Sequence, residues 1–364
     1  MKNIAVMVVD LKRLGGTQRV AAILSNELSN YYNCNIITLF GSSSIYSIND
    51  RIKIYDLNSQ NVRFRYSALK NLLELKKLII ENKIEILIVV GRICTIIPLL
   101  LKFICKIKII FCEHASKYEY TFIKETFKVT IVRHIFNFLL KENAKKIVYL
   151  TNKELEMSEI NHQKILKIYN SIDEKLLKDI KEYNIGAKKI ITVGRLDYGK
   201  GIDLLIQVAK KIFLNNADWQ WHIYGDGDEE YTKHILDLIK QNNLKNNVIL
   251  KGKNGNIYDV YQDYSFFVMT SRYEGLPMVL LEAKAKKLPI ISFDINSGPS
   301  DIIRDEIDGF LIKPFDCEAM AEKICTLIEN PELRQKLSNN AHGNLDKFSK
   351  EKVIKQWCDL IDGL

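Results

Sequence analysis

The sequence predicts an α/β protein built from two parallel-sheet domains, and three observations lead there. Short apolar runs rich in β-branched residues alternate with longer segments of helical periodicity. The alternation runs through two series, one beginning at Ile4 and the other at Ile190. The chain has 364 residues, 47% of them hydrophobic, which is long for one core and suits two.

In the first series, Ile4 to Val9 reads as a buried strand, Gly15-Gly16-Thr17 as a turn and Val20 to Leu28 as a helix. This is the order of a Rossmann unit, although G-G-T is shorter than the dinucleotide fingerprint and taken alone reads equally as a tight turn. Ile36 to Phe40 and Ile52 to Leu57 are further strands. Tyr66 to Asn82 is an amphipathic helix in which Leu69, Leu72, Leu73, Leu75 and Leu78 to Ile80 are interleaved with lysines. Ile86 to Val90 and Ile93 to Leu101 together look like a membrane span, but Arg92 and Lys102 bracket the second run and Pro98 interrupts it. That run falls far short of the roughly 20 apolar residues a span needs, so it reads as a buried strand followed by a helix. Ile107 to Phe111 is a strand that delivers Glu113 and His114 to its carboxyl end. Phe122 to Lys146 mixes Phe and Ile with Lys124, Lys128, Arg133 and Lys141; it is either a core-facing helix with a solvated basic side or an interfacial helix on anionic lipid. Ile147 to Leu150 ends the series.

The second series consists of strand Ile190 to Val193, helix Asp203 to Leu214, strand Trp219 to Tyr224, helix Glu230 to Asn242, strand Val248 to Lys251 and short helix Ile257 to Gln262. Then come strand Ser265 to Met269, a loop, a helix from Pro277 to Lys287 and strand Pro289 to Phe293. Phe310 to Ile312 is a last strand, and Glu318 to Glu329, Glu332 to Asn340 and Lys352 to Ile361 are helical. Strands alternating with helices imply a parallel sheet covered on both faces.

Residues 1–168 hold 26 Lys and Arg against 14 Asp and Glu, net +12, whereas the remainder holds 27 against 30, net −3. The basic excess therefore belongs to one half and points to an anionic partner there: a membrane surface, a lipid diphosphate or a nucleic acid. No nucleic-acid motif or aromatic platform accompanies it, which argues against nucleic acid. The seven cysteines form no C-x-x-C pair and sit mostly in apolar segments, as in a reducing compartment. Met1 to Asp10 reads directly as a strand, without an h-region or cleavage site, and a cytoplasmic location is expected.

The stretch Thr270 to Phe293 concentrates the chemistry. Pro277 suits a first helical position, so unpaired N–H groups near Gly275 to Met278, a stretch that includes Leu276, would form a seat for an anion, with Glu274 before it and Glu282 about 7 Å along the axis beyond Pro277. The pair resembles the E-x7-E motif of retaining glycosyltransferases, and Glu274 to Ala283 is close in wording to the family 4 enzymes. The resemblance continues in order through Gly15 to Arg19, Glu113-His114, Asn170 to Asp173, Gly194 to Leu196 with Lys200-Gly201, Tyr224 to Gly227, and Ser297 to Ser300.

The resemblance implies a GT-B fold, two Rossmann-like domains facing a central cleft. An acceptor-side domain would span residues 1–169, a nucleotide-sugar domain 170–350, and a helix over 351–364 would return to the first. It further implies that Glu282 holds the ribose, that Glu274 holds the transferred hexose and that His114 contacts the sugar. Gly275 to Pro277, with Gly15 and Gly16, would allow close backbone approach. Arg195 and Lys200 would stabilise the departing diphosphate in place of a metal. Asp226-Gly227-Asp228 spells D-x-D but matches the family's turn, so no metal or other cofactor is expected. The expected enzyme is a retaining hexosyltransferase that uses a UDP-sugar and a lipid-linked glycan at the inner membrane face. The acceptor would be an undecaprenyl-diphosphate glycan of O-antigen, capsule or N-glycan assembly. A non-transferring protein on the same scaffold, or a transferase with a soluble acceptor, is the alternative.

Overall fold

Continuous apolar runs such as Ile4 to Val8 cannot lie on a half-solvated sheet, and in the structure all five residues are inaccessible to solvent. The computed structural model describes residues 1–13, 15–57, 64–91, 96–114, 137–158 and 160–364, with side chains undescribed at 64–68 and 96. Its chain divides into unit 1, Met1–Ser171 with Glu351–Leu364, and unit 2, Ile172–Lys350.

Unit 1 contains β1 (Asn3–Val8), β2 (Asn33–Thr38), β3 (Ile54–Asp56), β4 (Ile86–Val90), β5 (Lys108–Cys112), β6 (Lys146–Tyr149) and β7 (Ile165–Lys167). These form one sheet in the order β3-β2-β1-β4-β5-β6-β7. Every pairing is parallel. The sequence pattern ends this series one strand early. β7 is only three residues long and ends on a lysine, so it carries no periodicity of its own and exists because β6 presents an open edge to it. Of the basic helix expected over Phe122 to Lys146, residues 122–136 lie outside the described residues. The terminal helix Lys350–Asp362 buries Val353, Ile354, Trp357 and Ile361. Its end is tied to unit 1 by Tyr32, whose hydroxyl donates to Asp362 Oδ1 at 3.0 Å, and by Lys2 Nζ, which donates to the Ile361 carbonyl at 2.7 Å.

Unit 2 contains β8 (Lys189–Val193), β9 (Gln220–Tyr224), β10 (Val248–Gly252), β11 (Phe266–Met269), β12 (Ile290–Phe293) and β13 (Gly309–Ile312). The sheet order β10-β9-β8-β11-β12-β13 is that of a doubly wound Rossmann domain. Its pairings are again all parallel. Helix Ile202–Ile212 buries Ile202, Leu205, Val208, Ala209 and Ile212 in the same core as Trp221, Phe266 and Phe293. A buried ionic group sits behind helix Met278–Ala285. Lys284 Nζ lies 2.8 Å from Asp308 Oδ2 and donates to the Ile302 carbonyl at 2.7 Å, while Arg304 Nε reaches the same carboxylate oxygen at 2.6 Å. Burial pushes the Lys284 ammonium down to about 8 against the pull of Asp308.

In both sheets the order reverses between β1 and β4 or between β8 and β11. Ligands of open parallel sheets bind at that reversal. No described helix is long and apolar enough to cross a membrane.

Because Trp357 is buried within unit 1, Trp357→Ala is expected to destabilise that unit by about 3–5 kcal/mol. Hydrogen exchange would show it as lost amide protection in β1 to β7 with β8 to β13 retained; uniform loss in both sheets would contradict the division.

Candidate functional site

At the β8/β11 reversal, two loops are bound into one body. The loop after β8 runs from Gly194 through a short 3₁₀ turn, Tyr198–Lys200, to Gly201. The loop after β11 runs from Thr270 to Pro277. Arg272 on the second loop reaches across to the first. Its Nη1 and Nη2 donate to Asp203 Oδ1 and Oδ2 at 2.8 and 2.6 Å, and Nη1 also donates to the Tyr198 carbonyl at 2.8 Å. Its guanidinium lies 3.9 Å from the centroid of the Tyr198 ring, and its backbone N–H donates to the Gly199 carbonyl at 2.7 Å. Burial opposes the charge of Asp203, but the hydrogen bonds from Arg272 prevail and hold its carboxyl below the usual range.

The approach is close enough to dictate residue type. Gly201 has φ +63, and a Cβ there would stand 2.1 Å from the Thr270 carbonyl oxygen. On the far side of the second loop, Gly298 has φ +95, and a Cβ would meet Pro277 Cδ at 2.3 Å. The Ser297 hydroxyl donates to the Glu274 carbonyl. Three loops thus converge on Glu274.

There the structure brings two of the expected residues together. Lys200 Nζ lies 2.6 Å from Glu274 Oε1, with side chains only 24% and 11% exposed. The Ser271 hydroxyl donates to the same oxygen at 2.7 Å, and among the described residues Oε2 has no partner. An ammonium carries three donors, so Lys200 keeps capacity for a further acceptor. Arg195 takes a different position: its side chain is 75% exposed and its guanidinium lies 3.1 Å from Asp197. Glu282, on helix Met278–Ala285, is buried and accepts from the Tyr261 hydroxyl at 2.9 Å. Pro277 departs from the expected first helical position. With φ −72 and ψ 97 it is the N-cap, one residue earlier, and its carbonyl accepts from Leu280 N at 3.0 Å. Having no polar side chain, it leaves the first turn beside Gly275 and Leu276 without a side-chain cap.

Both carboxylates of the D-x-D have protein partners. Asp226 pairs with Lys253 at 2.6 Å, and Asp228 caps helix Glu229–Gln241, accepting from Glu230 N and Tyr231 N.

Gly15, Gly16 and His114 belong to unit 1. Gly15 is the extended N-cap of helix Gly16–Leu28, and no described atom lies within 4 Å of where a Gly16 Cβ would stand. The fold thus leaves that backbone open. His114 follows β5, is half-buried and lines a small cavity with Cys112, Tyr169, Asn170 and Trp357. Burial pushes its imidazole down to about 4, so it is neutral at pH 7. Burial, reinforced by Lys251 and Lys189, does the same to His222, whose Nδ1 lies 2.8 Å from the Tyr264 hydroxyl.

Asp203, Arg272 and Tyr261 carried no signal in the sequence. An Arg and an Asp 69 positions apart look like any surface pair, and a tyrosine in a short helix looks like core.

The chain is similar to several known proteins. A family model described as Glycosyl transferases group 1 matches residues 173–343. An uncharacterized glycosyltransferase of Haemophilus influenzae is 28% identical over 99% of this chain and 100% of the relative. The amylovoran biosynthesis glycosyltransferase AmsD of Erwinia amylovora is 27% identical over the full length of both. A Campylobacter jejuni 4-alpha-N-acetylgalactosaminyltransferase, named for a diphospho-undecaprenol substrate, is 31% identical over 54% of this chain and 53% of its own. Among solved structures, TarM superposes with TM-score 0.82 at 19% identity, covering 99% of this chain and 98% of TarM. Sucrose-phosphate synthase of Thermosynechococcus elongatus gives 0.87 at 18%, covering 100% and 99%. HepE of Anabaena, solved with UDP and glucose, gives 0.82 at 15% over the whole of both chains.

Two outcomes are expected. Arg272→Ala leaves a largely buried Asp203 without its fork, which should cost about 2–3 kcal/mol after allowance for partial exposure. Urea melts would check it, and an unchanged midpoint would show that the fork does not hold the two loops. Stability should also fall between about pH 6.5 and pH 4. The unfolded chain takes up protons on His114 and His222 that the folded chain refuses until about 4, so it binds more protons throughout that window. Urea midpoints at pH 7.5 and 5 would measure the slope, and His222→Gln should flatten it.

Proposed function

We propose, on the premise that this chain is a glycosyltransferase group 1 enzyme of GT-B fold, that it moves a hexose or N-acetylhexosamine from a UDP-sugar, with retention, to a glycan carried on undecaprenyl diphosphate. The observation that carries the reading is the Lys200–Glu274 pair, held at 2.6 Å where the sheet order reverses and within the segment that matches the family. A protein retaining the scaffold without the chemistry has no need of a partly buried ion pair fixed by three loops. The relatives named for amylovoran biosynthesis and for a diphospho-undecaprenol substrate support surface-polysaccharide or glycan assembly, and the UDP and glucose bound to HepE support the donor class.

In this reading Glu282, oriented by Tyr261, takes the ribose hydroxyls, and Glu274 turns Oε2 to the hydroxyls of the transferred sugar. Lys200 uses its remaining donors on the diphosphate. Arg195, exposed beside Asp197, swings to the same group, and neither requires a metal to neutralise the leaving charge. The first turn of helix Met278–Ala285, after Gly275 to Pro277, has no side-chain cap and offers N–H groups to the phosphates, and the backbone at Gly16, next to Gly15, admits the donor closely. Neutral His114 hydrogen-bonds the sugar near the reacting carbon without adding a positive charge.

Glu274 already shares Oε1 with Lys200 and Ser271, an arrangement suited to holding hydroxyls and poor for a nucleophile. Retention then follows from attack on the face the diphosphate leaves. The acceptor oxygen bonds to the anomeric carbon as the bond to the diphosphate oxygen breaks, and the acceptor proton passes to that departing oxygen. Exclusion of water lets the acceptor outcompete hydrolysis. A lipid-linked acceptor puts the enzyme at the cytoplasmic face of the membrane.

Turnover of a UDP-sugar panel with an undecaprenyl-diphosphate glycan tests the assignment. Lys200→Ala and Arg195→Ala should each lose about 2–4 kcal/mol of transition-state stabilisation in kcat/KM, and turnover should continue in EDTA. Near-normal rates in both variants would misplace the diphosphate, and activity abolished by EDTA but restored by Mn²⁺ would replace the two side chains with a metal.

A further inference from the structure

In unit 1 the loops that leave β5 and β7 flank the carboxyl end of the strand between them, β6. Glu113 N–H donates to the Val148 carbonyl at 2.9 Å and Ile168 N–H to the Tyr149 carbonyl at 3.1 Å, so each loop stays in register with β6 just past its own strand. His114 is the next residue on the first loop, and Asn170 and Ser171 lie two and three positions beyond Ile168 on the second. All three line the small cavity already described, with Trp357 of the terminal helix and apolar residues such as Val20 and Val148 completing its wall.

The cavity gathers polar groups that lack partners. Asn170, Ser171 and Trp357 are only 7%, 8% and 5% exposed. Among the described residues, no hydrogen bond reaches their amide, hydroxyl and indole N–H, or the His114 imidazole. Buried polar groups left unpaired are costly, so four of them around one space call for a shared partner. The space measures about 20 Å³, against the roughly 10–15 Å³ that one water requires, and is too small for an organic ligand. Purely apolar cavities of proteins stay dry, whereas a water with two to four polar partners is held as part of the structure.

We propose that this cavity holds one ordered water that bridges His114 to Asn170 and Ser171, which makes those two side chains positioning residues for the imidazole. A neutral imidazole donates at one nitrogen and accepts at the other, and its partners decide which is which. The water, held by the Asn170 amide and the Ser171 hydroxyl, fixes the tautomer from the cavity side. His114 is only half-buried and keeps surface outside the cavity, where its other nitrogen meets a sugar hydroxyl with a set donor or acceptor character. That purpose rests on the reading of His114 as a sugar contact; the water site rests on the cavity alone.

Long-range proton–nitrogen correlation spectra of the full chain labelled in histidine report the tautomer, with His114 assigned through His114→Gln. At pH 7 the wild type should show a single His114 tautomer, and Ser171→Thr, which keeps the hydroxyl, should preserve it. Asn170→Leu/Ser171→Ala should average the two ring nitrogens, and kcat should fall on the order of tenfold with the donor KM little changed. Should the pair fail to fold, Ser171→Ala alone is read in the same spectrum. An unchanged His114 spectrum in the folded variant would overturn the proposal, as would averaging already present in the wild type. So would a crystal structure in which the imidazole bonds Asn170 directly or the cavity is dry. Averaged tautomers with wild-type turnover would leave the water bridge standing and fail only the reading of His114 as a sugar contact.

Discussion

The fork between Arg272 and Asp203 is the constraint on which the arrangement of the candidate site in unit 2 depends. The two residues are 69 positions apart and the chain between them enters and leaves β9, β10 and β11, yet the two loops that matter are joined by paired 2.8 and 2.6 Å bonds. A bidentate fork fixes direction as well as distance, since rotating either plane breaks one bond. With the Tyr198 ring stacked beneath the guanidinium and the Gly199 carbonyl held by Arg272 N–H, Lys200 has little choice but to face Glu274. The pair is therefore placed by a neighbour that bonds to neither of its members.

Sheet order explains why the clamp sits there. In an open parallel sheet, successive right-handed crossovers cover one face until the chain returns to the middle and covers the other. At that return the loops after β8 and β11 part, leaving a notch in the carboxyl edge that no crossover fills. Without cross-links both loops would move independently. Gly201 and Gly298 remove the two Cβ atoms that would hold the loops apart, and the buried Lys284–Asp308–Arg304 group anchors the helix behind them.

The architecture was legible because its determinants are local. Buried parallel strands must be continuously apolar, and Ile86 to Val90 or Ile290 to Phe293 cannot be read otherwise. β7 escaped because its three residues take their conformation from β6. Of the candidate site, the sequence marks Lys200, Glu274 and Glu282 through their resemblance to a family pattern, and leaves their mutual arrangement unspecified. Arg195 and Lys200 occur five positions apart on one loop, yet one is exposed beside Asp197 and the other is drawn inward. That difference is set by Arg272 and Ser271 across the notch, outside any sequence window. Pro277 was assigned to the helix by its φ preference; its ψ of 97 instead turns the chain away from helix geometry at that residue.

The Lys200–Glu274 bond has a consequence for the order of events in the proposed reaction. Before donor arrives, each charge answers the other, so the empty notch presents little net field to stray phosphate. A whole donor engages both partners at once, diphosphate toward the ammonium and sugar hydroxyls toward the carboxylate. Once the sugar has gone, the remaining nucleotide in this reading still draws on Lys200 but offers nothing to Glu274, only 11% exposed. The spent nucleotide thus shares an ammonium already neutralised by an intramolecular counter-ion, and is held less tightly than an unpaired lysine would hold it.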